Sequence, residues 1–213
     1  MWSLLGWNVH VHHSHVDVHP GVDVGRVPYR FEWHQDGGRQ NREIETDPRP
    51  RLSVKVVFWL SDLSATGRGN LKVVPGSHLT NRIDGPPRRD VGWPDPPGAV
   101  EVTAAPGDAL LFDRRLWHAR SPNLSRVTRR AAFFAYTYRW IRSREEDTHD
   151  PVAAVDAGGR ADPALTPVRR QLLDRLPRAD GDHEWGHMPG DVPLFRALQA
   201  AGYLDADHPP LRP

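Results

Sequence analysis

The sequence predicts a mainly β chain, a sandwich or barrel of short strands, with helices towards its C-terminus. Three observations predict it. From Val9 to about Trp140, short runs rich in Val, Phe, Trp and Tyr are separated by Gly, Pro and Asp. After Ile141 the pattern changes, and Ser143 to Pro163 is polar and small. The length, 213 residues, suits one well-packed core better than two.

The elements follow in chain order. Val9 to Val18 alternates, with Val9, Val11, His13, His15 and Asp17 on one face. That face passes from apolar to polar, as in a strand running from a packed core into a polar cavity; a separate histidine metal site is the alternative. Tyr29 to Trp33 alternates up to His34, and Gly37-Gly38 follows Asp36, so a strand runs there into a glycine-rich loop. Further strands are expected over Leu52 to Leu60, Leu71 to Val74, Ala99 to Thr103, Ala109 to Phe112 and Arg130 to Trp140. Between them, Asn81 to Pro97 carries Pro86, Pro87, Pro94, Pro96 and Pro97, which no central strand tolerates, and is expected to be a long loop over a cavity mouth. Pro106-Gly107-Asp108 is a turn. Thr166-Pro167 starts a helix over Val168 to Leu176, and a second short helix is expected over Val192 to Ala201. Residues 1–142 are thus expected to form the core, with 143–213 an extension packed on the same domain.

Composition narrows the functional classes. A formal charge of +1, from 28 basic and 27 acidic residues, gives no electrostatic reason to invoke nucleic acid or a membrane surface, which leaves a small molecule as the expected partner. Oligomeric state is not readable. Cysteine is absent, which excludes disulfides, thiolate metal sites and thiol nucleophiles, so histidine and carboxylate must carry any metal. Met1 to Trp7 has no basic stretch, and its apolar run is too short for a signal peptide or a span; a soluble, cytoplasmic protein is expected. Lys55 and Lys72 are the only lysines.

Against that background stands the triplet His34-Gln35-Asp36, with His118 and Arg129 further on. His34 and Asp36 are two apart and project to one side of an extended chain. Two imidazoles and a carboxylate can take three adjacent positions of an Fe(II) ion, leaving the opposite face open. Arg129 opens the apolar run Ala131-Ala132-Phe133-Phe134, and a buried arginine needs an anion. A lone HxD triplet has little specificity, since His15-Val16-Asp17 is another; the combination with a distal histidine and an arginine is what discriminates.

These residues resemble the phytanoyl-CoA dioxygenase-like family of Fe(II)/2-oxoglutarate-dependent oxygenases. The matching segments are WHQDGG at 33–38, GRGNLKVVPGSH at 67–78, PGDALLFDRRLWHARSPNLS at 106–125, and Arg129-Arg130. The resemblance covers roughly residues 9–140. It implies a double-stranded β-helix, a cupin-like jelly roll. It implies His34, Asp36 and His118 as iron ligands and Arg129 as the anchor of the C5 carboxylate of 2-oxoglutarate, by a bidentate charge-assisted pair. Trp59 matches a position lining the co-substrate pocket, and Ser53, His13 and His15 are further candidates of that kind. The implied reaction uses Fe(II), 2-oxoglutarate and O2 to hydroxylate a small organic substrate, releasing succinate and CO2. Because the Asp36 carboxylate is present, hydroxylation is favoured over halogenation, for which relatives have a small residue there.

Two departures accompany the resemblance. Relatives have a small hydroxyl residue two after the distal histidine, and here Arg120 stands there, either adding charge to the pocket or pointing to solvent. Relatives also carry a helical stretch before the first core strand, and almost nothing precedes Val9, so a fragment or shortened form is expected. That feature supports a rival reading, a non-catalytic jelly-roll binding module. A second rival is a zinc peptidase using His183-Glu184-Trp185-Gly186-His187, which matches HExxH. Its required helix is disfavoured by Gly186 inside the motif and by Gly181, Pro189 and Gly190 around it, and Pro193 occupies the third-ligand position of the extended form. A loop with Trp185 packed on the jelly roll is the preferred reading.

Overall fold

A computed structural model describes residues 1–26, 28–38, 40–141, 166–173 and 192–204. The fold is mainly β, in antiparallel sheets, with short helices towards the C-terminus. The strands are β1 (Val9–His19), β2 (Arg30–Glu32), β3 (Ser53–Trp59), β4 (Leu71–Val73), β5 (Arg88–Asp90), β6 (Val100–Glu101), β7 (Ala109–Asp113), β8 (His118–Arg120) and β9 (Arg129–Tyr138). The helices are α1 (Trp2–Leu5), α2 (Gln40–Glu43), α3 (Pro167–Leu172) and α4 (Pro193–Ala200). The described residues form two compact units, whose boundaries fall within β1 and β9.

The unit His15–Phe133 carries the site. One sheet has the order β1-β9-β3-β7, a second pairs β2 with β5, and a third has the order β6-β4-β8. β3 pairs antiparallel with β7 from Val54↔Asp113 to Phe58↔Ala109. β4 pairs antiparallel with β8, with Leu71 opposite Arg120 and Val73 opposite His118. Alternation decides what is buried: Val57 and Trp59 of β3 and Ala131 and Phe133 of β9 join Leu63, Leu71 and Phe112 in the main core. Phe31, Trp33 and Ala119 form a second cluster beside it.

The other unit comprises Met1–Ser14 and the chain from Phe134. Trp2 and Trp7 pack against Val192, Phe195, Leu198 and Leu204, so α4 buries an apolar face. Gln171 is fully buried and satisfied: its Nε2 donates to the carbonyls of Trp7 and Val9 at 2.8 and 3.1 Å, and Leu194 N donates to its Oε1 at 2.8 Å. Thr166 caps α3, with Arg169 N donating to its hydroxyl at 3.3 Å.

Most expected strands fall where the alternation put them, within a residue or two. Three features differ. β8 is an unforeseen strand, whose His-Ala-Arg lacks the β-branched and aromatic residues that mark the others. β5 lies inside the proline-rich segment read as a loop, because Arg88 to Asp90 fall between its prolines and have free N–H groups to pair with β2. α2 follows directly on the glycine-rich loop. The first C-terminal helix begins at Pro167, as expected, and the second begins at Pro193, one residue after the expected Val192; the HExxH string and Trp185 lie outside the described residues.

Candidate metal centre

His34 and His118 are joined through their backbones. An antiparallel bridge links them, His34 N donating to His118 O at 2.9 Å and His118 N to His34 O at 3.0 Å. The bridge sets the two rings beside each other, with centroids 4.2 Å apart. Asp36 N donates to Arg114 O at 2.8 Å, so the triplet is tied at both ends to the segment leading into β8. Gln35, between the ligands, is buried and turns away: its Nε2 donates to Thr80 O at 2.9 Å, and Arg49 donates to its Oε1 at 2.8 Å. Gly37 makes the tight exit. Its φ of +118° and an added Cβ only 2.8 Å from the Arg114 guanidinium leave no room for a side chain.

His34, Asp36 and His118 are the one group of three or more potential ligands among the described residues whose donor atoms converge, all lying within 4.8 Å of one another. His34 Nε2 lies 3.9 Å from Asp36 Oδ1, and His118 Nε2 lies 3.7 Å from Asp36 Oδ2. Each ring donates its Nδ1–H to a backbone carbonyl two residues back, Glu32 O for His34 and Leu116 O for His118, both at 2.8 Å. That bond fixes the tautomer, so both Nε2 lone pairs face the carboxylate and are available to a cation. The donor set, two imidazoles and one carboxylate, fits a divalent first-row metal with open positions. Burial pushes the His118 imidazole down to about 4, so it is neutral at neutral pH. Burial alone would raise the Asp36 carboxyl, but His118, Lys55 and His34 outweigh it and hold it below the ordinary carboxylate range.

A cavity of about 320 Å³ opens beside these residues. His34 and His118 line it, together with His15, Asp17, Lys55, Arg120, Arg129 and Phe133. Arg129 is 1% exposed and pairs with Asp17. Its guanidinium lies 5.2 Å from the Trp59 ring and 5.7 Å from that of Phe133, in cation–π contact. Arg129 Nε is buried with no hydrogen-bond partner among the described residues. Gly69 of the GRGN segment keeps this corner open: at φ +76°, its Cβ would stand 3.1 Å from His19 and 3.3 Å from the Arg129 stem.

The other candidates separate. Trp59 is fully buried beneath Arg129, and it does not line the cavity. His15 does, stacked on Phe133 with centroids 4.8 Å apart. Ser53 is buried two residues before Lys55 on β3, outside the cavity lining, and His13 is likewise not among the lining residues. Arg120 lines the cavity and is bonded to both Asp17 oxygens at 3.2 Å. Its charge therefore enters the pocket. Sequence reasoning missed Lys55, whose ammonium stands 2.8 Å from Asp36 Oδ2. A single lysine in the apolar alternation Val54-Lys55-Val56-Val57 was the available signal. Asp17 lies on the β1 face expected to enter a polar cavity but was given no role, because a lone HxD triplet has little specificity.

The chain belongs to the phytanoyl-CoA dioxygenase (PhyH) family, whose model matches residues 9–131. Ectoine dioxygenase of Streptomyces coelicolor is 26% identical over 173 residues, 71% of this chain and 54% of its own. The Streptomyces anulatus ectoine dioxygenase is 27% identical over the same extent. The chain thus spans about half the length of the curated relatives it matches. Among solved structures, EctD from S. alaskensis with bound Fe is 27% identical, with 65% of this chain and 48% of that chain covered at a TM-score of 0.46. The same protein with 2-oxoglutarate and 5-hydroxyectoine is 26% identical, covering 63% and 46% at 0.45. No helix among the described residues is long and apolar enough to cross a membrane.

Proposed function

We propose that this chain is an Fe(II)- and 2-oxoglutarate-dependent dioxygenase that hydroxylates a small organic substrate. One observation carries the reading: three donor atoms from two segments distant in the chain converge within 4.8 Å, with both rings held through Nδ1 by backbone carbonyls. Family membership and the ectoine dioxygenase relatives support it.

His34, Asp36 and His118 would hold the iron on one face and leave the cavity side open. When bound, the metal supplies O2 activation coupled to oxidation of 2-oxoglutarate to succinate and CO2, with one oxygen atom going to succinate and the other into a substrate C–H bond. Arg129 would orient the co-substrate by its distal carboxylate, fixed from below by Trp59. Lys55 pairs with Asp36 Oδ2, the oxygen that also faces His118, which favours the ionised carboxylate beside the imidazoles. The lining is charged, with Lys55, Arg120, Asp17 and Glu32 on the walls, which favours a polar, small substrate of the kind the ectoine dioxygenases take.

The test is succinate formation from 2-oxoglutarate with Fe(II), ascorbate and candidate polar substrates. Iron-dependent succinate, lost in Asp36→Ala, is expected. Full activity in that variant would sink the assignment of the three ligands, and no succinate under any condition would favour the binding module.

A further inference from the structure

The cavity holds two guanidiniums and one carboxylate in direct contact. Asp17 is shared between Arg129, which is buried, and Arg120, whose side chain is 43% exposed. Its Oδ2 meets both arginines, and its Oδ1 meets Arg120. Burial works against ionisation of Asp17, and the two arginines outweigh it, so its carboxyl sits below its ordinary range. The cluster therefore carries one positive charge in excess. It also has an unused buried donor, since Arg129 Nε has no hydrogen-bond partner among the described residues.

A planar guanidinium binds one carboxylate well through a pair of parallel N–H groups. In this structure Asp17 already takes one Arg129 nitrogen. An incoming dicarboxylate must therefore share Arg129 with Asp17 or displace it.

We propose that Asp17 is a built-in competitor for the distal carboxylate of 2-oxoglutarate, released from Arg129 on binding and retained by Arg120. Arg120 is then a positioning residue whose task is to receive Asp17. The exchange leaves each carboxylate with its own arginine and strands no charge in the buried corner. Asp17 so sets the affinity for the co-substrate without touching the metal. This rests on the co-substrate reading given above.

The experiment is calorimetric titration of the anaerobic Fe(II)-loaded protein with 2-oxoglutarate and, separately, with 2-oxobutyrate, which has the same chelating end and no distal carboxylate. Wild type, Asp17→Asn and Arg120→Gln are compared. Asp17→Asn is expected to bind 2-oxoglutarate about tenfold tighter, a gain of about 1.4 kcal/mol, and 2-oxobutyrate no better. Arg120→Gln is expected to bind 2-oxoglutarate more weakly, because Asp17 then has Arg129 alone. Unchanged or weaker 2-oxoglutarate binding in Asp17→Asn, or an equal gain for 2-oxobutyrate, overturns the exchange while leaving the co-substrate site standing. Absence of 2-oxoglutarate binding by wild type and both variants overturns the co-substrate reading and the exchange together.

Discussion

Lys55 places its ammonium 2.8 Å from Asp36 Oδ2, on the side of the carboxylate that also faces His118 Nε2 at 3.7 Å. The carboxylate that would bind a metal therefore has a cation beside it before any metal arrives. Replacing Lys55 with methionine removes one half of a largely buried pair, and such removals cost about 3 kcal/mol or more. The expected outcome is a lower melting temperature for metal-free Lys55→Met, with Fe(II) raising it by more than it raises wild type. Equal increments for the two proteins would show that Lys55 and the metal do not act on the same carboxylate.

Removal of a ligand should be more severe than removal of its support. Outer partners of metal ligands are worth about 10- to 100-fold in affinity, so His118→Ala should weaken Fe(II) binding by more than about 100-fold. Competition with a chromogenic chelator measures it. Retention of wild-type iron affinity in this variant would place the metal elsewhere.

The metal-free protein should lose stability as pH falls from about 6.5 to about 4. In the folded state burial pushes His118 down to about 4, whereas in the unfolded chain it takes a proton near its ordinary 6.5. Across that window the unfolded state binds more protons, so the unfolding free energy decreases with decreasing pH. Asp36, also held below its ordinary range, extends the loss to lower pH. Thermal melts of chelator-treated protein across this range should show the decline, and His118→Phe should flatten it. An identical decline in that variant would assign the effect to other groups.

Gly69→Ala should weaken co-substrate binding without altering any ligand. A non-glycine residue at φ +76° costs about 1–2 kcal/mol, and the new Cβ would press on the Arg129 stem and His19. Reduced stability with a raised dissociation constant for 2-oxoglutarate at unchanged iron affinity is the expected pattern. A simultaneous loss of iron affinity would mean that the damage spreads beyond this corner.

The sequence made the mainly β class legible because long strands such as β1, β3 and β9 write their alternation over seven or more residues. β8 and β5 were not legible, since His-Ala-Arg and Arg-Arg-Asp hold none of the Val, Phe, Trp and Tyr by which the other strands were read, and their partners, β4 and β2, are distant in the chain. Of the candidate ligand set, His34 and Asp36 were paired because they share a face by local geometry, while His118 rested on the resemblance to a family. That His118 faces His34 through a two-way backbone bridge is a tertiary fact that no local spacing encodes. Lys55 was hidden for a related reason. A charged residue on an alternating strand reads as solvent-facing until the opposite wall, here Asp36, is known, whereas for Asp17 the polar cavity was expected and its arginine partners were not. Trp59 shows the limit of transfer by motif: its ring lies against the Arg129 guanidinium and is not on the cavity wall.

The central claim is a metal and co-substrate site built from His34, Asp36, His118 and Arg129. Anaerobic titration of the Fe(II)-loaded protein with 2-oxoglutarate, followed by the visible metal-to-ligand charge-transfer band, tests it most directly. The band should appear with wild type, and its midpoint should rise at least about tenfold in Arg129→Ala, in keeping with the 1.5–3 kcal/mol of a charged hydrogen-bond pair. Bound iron with no band, or the same midpoint in both proteins, would contradict it.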